Sequence, residues 1–92
     1  MVKLNNYLHD FLEYLILKNH NKPMLMWYLV NKNAQSNGDH AVHREDCGHL
    51  PNPENRKWLG QFNGCRGALI EAKKYDLEAD GCYYCCNECH TS

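Results

Sequence analysis

The chain has 92 residues, which is enough for one domain and too few for two complete ones. Charged residues make up 23% of it, its formal net charge is −1, and no apolar run approaches the length of a membrane-spanning helix. These values predict a protein that does not cross a membrane, and they disfavour a strongly basic nucleic-acid binder. A domain of this size has a small core, and the six cysteines and six histidines are candidates for stabilising it.

The cysteine content indicates a compartment. At about 6.5% it lies below the roughly 8–10% that is typical of disulfide scaffolds. The first 23 residues mix polar with apolar positions, and no small-residue cleavage motif of a signal peptide follows them. We therefore expect a cytoplasmic protein whose thiols stay reduced, and clustered cysteines in that setting usually bind metal or do redox chemistry.

Residues 1–23 contain no cysteine and have a helical pattern. Apolar side chains recur at spacings of three and four over about residues 3–18: Leu4, Tyr7, Leu8, Phe11, Leu12 and Leu15. Pro23 disfavours helix at the residue before it, so we divide the chain into an amphipathic helical extension, 1–23, and a domain, 24–92. Three roles stay open for this apolar stripe: it packs on that domain, it docks a partner, or it self-associates. If Met24 or Met26 is an alternative start, the segment is dispensable.

The pattern of residues 24–92 predicts a small α+β domain with a short antiparallel sheet of about three strands and one packed helix. Asn37-Gly38 is a typical hairpin turn between the first two strands. The helix begins at Asn63 or Gly64 and ends near Tyr75, with Cys65 on its apolar face as a small buried side chain. The predicted strands cover residues 26–32, 40–44 and 58–62.

Two short-spaced pairs of residues have the spacing of metal ligands. His43-x3-Cys47 lies where a strand gives way to a loop, and Cys82-x2-Cys85 follows a bend at Gly81. A structural zinc site needs four soft ligands, which are usually two such pairs brought together by the fold. The predicted zinc ligands are His43, Cys47, Cys82 and Cys85, and they hold one ion.

A second pair, Cys86-x2-Cys89, overlaps the last one and leaves alternatives open. Either cysteine can substitute for a ligand of the second pair, or both can be thiols that hydrogen-bond the ligating sulfurs. A site with two metal ions and a protein without a metal ion are further alternatives. We treat the remaining histidines as solvated, apart from His90, to which we assign no role.

HREDC, LGQF, CRGALIEAKKY and DGCYYC follow one another in the order of a known zinc module: ligand pair, short strand, helix and second ligand pair. Residues 43–89, about half of the chain, thereby resemble the metal-binding amino-terminal domain of the Ada DNA-repair methyltransferase family. The resemblance implies a small zinc-stabilised fold. In that family the first cysteine of the first pair accepts a methyl group from DNA. His43 stands at that position, so the resemblance does not extend to the repair activity.

These observations favour a non-catalytic structural zinc-binding module that mediates macromolecular interaction with an unknown protein or nucleic-acid partner. One alternative is DNA binding through a face built from Arg44, Arg56, Lys57 and Lys73. Residues 27–92 carry seven Lys and Arg against nine Asp and Glu, a net charge of −2, which disfavours it. The other alternative is redox or thiol-transfer chemistry at Cys-x-x-Cys. No catalytic constellation of a hydrolase is present in the sequence.

Overall fold

The computed structural model describes residues 24–75 and 77–91, which form an α+β fold of four strands and one helix. The predicted amphipathic helix, residues 1–23, lies outside the described residues, and so does the division of the chain at residue 23. Among the described residues there is no helix with the length and apolarity that crossing a bilayer requires.

Strands β1 (Met26–Asn31) and β2 (His40–Arg44) form the antiparallel hairpin that the sequence predicts. The connection turns at Gly38, whose φ of 92° lies in the left-handed region that glycine adopts without steric cost. The side-chain oxygen of Asn37 accepts the Asp39 N–H at 2.9 Å and fixes the same turn.

Strand β3 (Arg56–Phe62) pairs antiparallel with β1 and begins two residues before the predicted strand. The register shifts between Tyr28 and Leu29, and on β3 the irregularity falls next to Gly60, whose φ is 124°.

Helix α1 (Cys65–Lys73) follows β3 and ends two residues before the predicted boundary. A Cβ at Gly67 would lie 2.8 Å from the Phe62 ring, so a glycine lets the helix approach the end of β3.

Strand β4 (Ala79–Gly81) pairs parallel with β2, and the sheet order is β3-β1-β2-β4. The three predicted strands are present and pair antiparallel, but the prediction misses β4, which makes the sheet mixed and four-stranded. Three residues in the sequence Ala-Asp-Gly carry no strand pattern, because Asp and Gly are depleted in strands. Pairing with β2 alone makes this segment extended.

The side of the sheet that faces α1 carries the main core. Tyr28, Val30 and Val42 are buried there against Ala68 and Ala72, two helix residues spaced one turn apart. The side chains in this core are small, and the buried apolar area is correspondingly small. Sulfur makes up much of the remaining core, because Cys65, Cys86 and Cys89 lie in the same cluster.

Cys65, the first residue of α1, forms a disulfide with Cys89 near the end of the chain. Cys65 is buried as predicted, with 3% of its surface exposed, but the expectation that it is a free thiol is wrong. The expectation that all six thiols are reduced is wrong for this pair, whereas the cytoplasmic location stays a prediction. The two cysteines are 24 positions apart in the sequence, and closing a loop of this length contributes about 3–4 kcal/mol of stability by restricting the unfolded chain.

Candidate metal centre

Four side chains from two distant parts of the chain converge at one end of β2 and β4. Their ligand atoms all lie within 4.8 Å of one another. His43, Cys47 and Cys82 are 5%, 8% and 6% exposed, and Cys85 is half-buried. They are the four residues of the predicted ligand set: His43, Cys47, Cys82 and Cys85. The structure therefore contains a cluster that could hold a metal ion.

Pairing between the strands positions the two halves of the cluster. His43 lies on β2 opposite Leu29, and Cys82 follows directly after β4. The Cys82 N–H donates to the Val42 carbonyl at 2.9 Å, so the parallel ladder places Cys82 beside His43. Cys47 reaches the same place because the chain turns after β2, where its N–H donates to the Arg44 carbonyl at 2.9 Å.

The distances within the cluster fit tetrahedral coordination. Cys47 Sγ lies 3.8 Å from Cys82 Sγ, and Cys85 Sγ lies 3.9 Å from His43 Nδ1. Around zinc, two sulfurs are about 3.8 Å apart, and a sulfur and a nitrogen are about 3.6 Å apart. Small movements of side chains are therefore enough to close the four atoms around one ion.

Backbone amides point at the sulfurs in the same way in both loops. The His49 N–H donates to Cys47 Sγ at 3.4 Å, and the Tyr84 N–H donates to Cys82 Sγ at 3.4 Å. In each case the donor is two residues after the cysteine. Such bonds stabilise a negatively charged sulfur, which is the form of cysteine that binds metal.

Cys85 has two neighbours that act on its sulfur. The Arg44 N–H donates to Cys85 Sγ at 3.2 Å, and Cys86 Sγ lies 4.0 Å from it. In the metal-free protein the Cys85 thiol donates to Cys86, and this raises the pKa of Cys85 together with burial. If Cys85 binds a metal as a thiolate, the hydrogen bond runs from the Cys86 thiol to Cys85, because only Cys86 then carries a proton.

The electrostatics of the cluster favour a neutral imidazole and disfavour uncompensated thiolates. Burial lowers the pKa of His43, and the positive charges of His49 and Arg56 lower it further. Burial also raises the pKa of Cys47 to about 12, with a further contribution from its hydrogen bond to Cys85. A cation offsets the cost of burying these thiolates, so metal binding releases protons.

The two substitute ligands from the sequence lie elsewhere. Cys86 is only 1% exposed and sits in the core beneath α1, in contact with Cys85 rather than with the whole cluster. Cys89 is bonded to Cys65 and is not available as a ligand in this state. The two overlapping pairs therefore lie in different places. Cys82 and Cys85 belong to the cluster of metal-ligand atoms, and Cys86 and Cys89 belong to the core.

A cavity of about 290 Å³ lies beside the cluster, and sequence reasoning did not find it. His43 and Cys82 form part of its wall, and the Tyr84 ring, stacked on His49 at 3.7 Å between centroids, forms another part. His49 and Tyr84 are exposed and sit on different loops. The only sequence signal for this cavity is the aromatic pair Tyr83-Tyr84 between the two cysteines.

Four protein ligands fill a tetrahedral shell and leave no open position for a substrate or an activated water. A centre of this kind crosslinks the loops that supply its ligands. Comparison of the chain with models of protein families, with curated proteins and with solved structures gives no match, so the resemblance to the Ada domain stays a prediction.

Proposed function

We propose that the protein is a non-catalytic zinc-binding module whose fold depends on the ion and whose surface mediates macromolecular interaction. The observation that carries the proposal is the convergence of four metal-ligand atoms within 4.8 Å. Three sulfurs and one imidazole are the donor set of structural zinc sites, whereas calcium and magnesium take oxygen ligands.

The size of the core gives zinc an energetic role. Structural zinc contributes about 10–16 kcal/mol to the folding of small metal-binding peptides at neutral pH. A core built on Val30, Val42 and two helix alanines provides little beyond the conformational entropy that folding costs. Zinc binding therefore supplies the larger share of the stability.

The proposed interaction role rests on exposed aromatic side chains. Trp27 and Trp58 lie on adjacent strands with their ring centroids 6.4 Å apart, and they are 45% and 49% exposed. Large aromatic side chains are rarely this exposed in pairs unless they contact a partner. A partner that presents an apolar side chain to this pair fits the surface.

The nucleic-acid alternative has less support. Arg44 Nε lies 2.6 Å from an Asp46 carboxylate oxygen, and Arg56 Nε donates to the Pro51 carbonyl at 2.7 Å. Lys57 Nζ lies 3.9 Å above the centre of the Tyr75 ring. Asp46 offsets the charge of Arg44, and residues 27–92 carry a net charge of −2, whereas phosphate binding needs several uncompensated cations.

The redox alternative also has less support. Reactive thiols of Cys-x-x-Cys oxidoreductases have a lowered pKa, which makes them nucleophilic at neutral pH. In this protein the hydrogen bond to Cys86 and burial raise the pKa of Cys85. Cys85 is therefore a poor nucleophile. The hydrogen bond from Cys85 lowers the pKa of Cys86, but Cys86 is only 1% exposed and is closed to a substrate.

The test is elemental analysis of the purified protein combined with ¹³Cβ chemical shifts of all six cysteines. We expect one zinc per chain in the oxidised protein, with metal-thiolate shifts at Cys47, Cys82 and Cys85. Adding a chelator should abolish the near-UV circular dichroism and collapse the amide dispersion. His49→Ala is the control, because His49 is exposed and donates only its backbone N–H to the cluster. Retention of the full structure after zinc removal would contradict the proposal.

A further inference from the structure

We infer that the cysteines beneath α1 form a second site for a thiophilic metal ion when the Cys65–Cys89 disulfide is reduced. The ligands are Cys65, Cys86 and Cys89, and Cys85 bridges the two ions. The inference rests on the proposed zinc function, because Cys85 belongs to the first centre.

The first observation is that the three cysteines already lie together. Cys65, Cys86 and Cys89 are 3%, 1% and 6% exposed, and they belong to one packed cluster between α1 and the end of the chain. Reduction adds two buried thiols to the packed cluster that already contains the Cys86 thiol. Soft thiolates in such surroundings select zinc or copper(I) over hard cations.

The second observation is the position of Cys85 between the two groups of ligands. Its sulfur lies 3.9 Å from His43 Nδ1 on one side and 4.0 Å from Cys86 Sγ on the other. Both distances are close to the ligand-to-ligand spacing of about 3.6–3.8 Å around a tetrahedral ion. A thiolate has more than one lone pair, so the Cys85 sulfur can bind two ions at once.

The third observation concerns the backbone of the disulfide pair. The Cα atoms of Cys65 and Cys89 are 6.3 Å apart, which also suits two cysteines that share one ion. Cys86 and Cys89 have the same two-residue spacing as the ligand pair Cys82 and Cys85. The Cys89 N–H donates to the Cys86 carbonyl at 2.9 Å, so the turn between them is already formed.

Other contacts hold the end of the chain in place once the disulfide is reduced. His90 Nδ1 lies 2.9 Å from the Gly81 carbonyl oxygen, to which it donates, and the Thr91 N–H donates to an Asp80 carboxylate oxygen at 2.9 Å. Both contacts fasten the last residues to β4. Cys89 therefore stays near Cys65 and Cys86 without the covalent bond.

The chemistry of the conversion balances with a dithiol as the reductant. The dithiol transfers two electrons and two protons to the disulfide, closes to a cyclic disulfide itself, and leaves two cysteine thiols. A divalent ion then binds Cys65, Cys86 and Cys89 and displaces their three protons, while it shares the existing Cys85 thiolate. The disulfide and the second ion exclude each other, so the redox state sets the number of ions that the protein holds.

The experiment is native mass spectrometry of the full-length protein with Zn²⁺, in its oxidised form and after anaerobic reduction with dithiothreitol. We expect one ion in the oxidised protein and two in the reduced protein. Cys86→Ser should return the reduced protein to one ion, whereas the control His49→Ala should keep two. Amide dispersion of each variant, recorded with one equivalent of Zn²⁺, establishes that it is folded.

The ¹³Cβ chemical shifts of the cysteines give a second readout that does not depend on a variant. In the reduced protein with two ions, all six cysteines should show metal-thiolate shifts, because all six are ligands. Reduced protein with one ion and free-thiol shifts at Cys65, Cys86 and Cys89 would overturn the inference and leave the proposed function intact. Oxidised protein that binds no ion would instead overturn the proposed function.

Discussion

Val42 and Gly81 are direct partners in the parallel ladder between β2 and β4. Because parallel strands run in the same direction, the next residue of each strand, His43 or Cys82, emerges at the same end of the sheet. A short strand of three residues thus brings together ligands that lie 39 positions apart in the sequence (82 − 43 = 39). The candidate metal centre depends on this pairing.

Gly81→Ala should weaken both the fold and metal binding. A Cβ at this position would lie 2.5 Å from the Cys86 carbonyl oxygen and 2.9 Å from Cys89, so the turn that carries Cys85 must shift. Overpacking of this kind costs about 1–3 kcal/mol. Urea unfolding of the zinc-loaded protein measures the loss. Gly48→Ala is the matched control, since a Cβ at Gly48 meets no atom within 4 Å. Equal stability of the two variants would contradict this account of the turn.

His43→Cys should keep zinc, and His43→Ala should lose it. Nδ1, the ring nitrogen nearer the backbone, is the His43 atom that faces Cys85, so a cysteine sulfur reaches the same place. Zinc accepts four thiolates as readily as three with an imidazole. Without a fourth ligand, affinity should fall at least about 100-fold, since outer partners of metal ligands alone are worth about 10–100-fold. Competition with a chromophoric chelator measures both variants. Loss of zinc in both would show that His43 has another role.

The stability of metal-loaded and metal-free protein should respond oppositely to pH. In the metal-free protein burial raises the pKa of Cys47 to about 12, above the unfolded value of about 8.5. Its contribution is fully present below about pH 8.5 and is lost as the pH rises toward about 12. A metal instead holds the thiolates at a pKa below about 8.5, so stability is lost as the pH falls below that value.

The folded fraction by near-UV circular dichroism between about pH 7 and pH 10 measures this difference, with excess zinc in one series and a chelator in the other, and with a stabilising osmolyte in both so that metal-free protein is partly folded. His43 stays neutral throughout this range, because burial lowers its pKa. Cys47→Ser should reduce the loss at alkaline pH in the chelated series. The same pH profile in both series would mean that Cys47 does not bind the metal.

Replacing both partners of the disulfide, Cys65→Ala with Cys89→Ala, should destabilise the protein and leave the first metal centre in place. The closed loop that is lost is worth about 3–4 kcal/mol. His43, Cys47, Cys82 and Cys85 keep their positions because the strand ladder, rather than the disulfide, aligns them. Urea unfolding under oxidising conditions measures the loss of stability, and zinc stoichiometry shows whether the four ligands still bind the ion. A variant without zinc would show that the disulfide positions the ligands.

The sequence carried clear signals for short-range features. The spacings of His43-x3-Cys47 and Cys82-x2-Cys85 depend only on local turns, and the structure brings both pairs to one place. The two hairpin strands follow from their β-branched and aromatic residues, and Asn37-Gly38 does mark the turn between them. Residues at the helix boundary were less informative, because Gly64 and Lys74 provide no side-chain cap.

Features that depend on long-range proximity could not be predicted. The disulfide joins Cys65 to Cys89 because α1 and the last turn pack together, and nothing near either cysteine in the sequence marks its partner. The strand Ala79–Gly81 exists only through its pairing with β2. Cys82 and Cys85 lie in the cluster of metal-ligand atoms, whereas Cys86 and Cys89 lie in the core. The sequence could not predict this difference, because it too depends on long-range packing.

The disulfide and the metal centre together have a consequence for a protein whose backbone is cut. A protease that cleaves after Lys73 or Lys74, both exposed at the end of α1, separates Cys65 from Cys89 along the chain. It also separates His43 and Cys47 from Cys82 and Cys85. The two fragments stay joined by one covalent bond and, under the proposed function, by one shared ion. Nicked protein should therefore keep its size and shape until it meets both a reductant and a chelator.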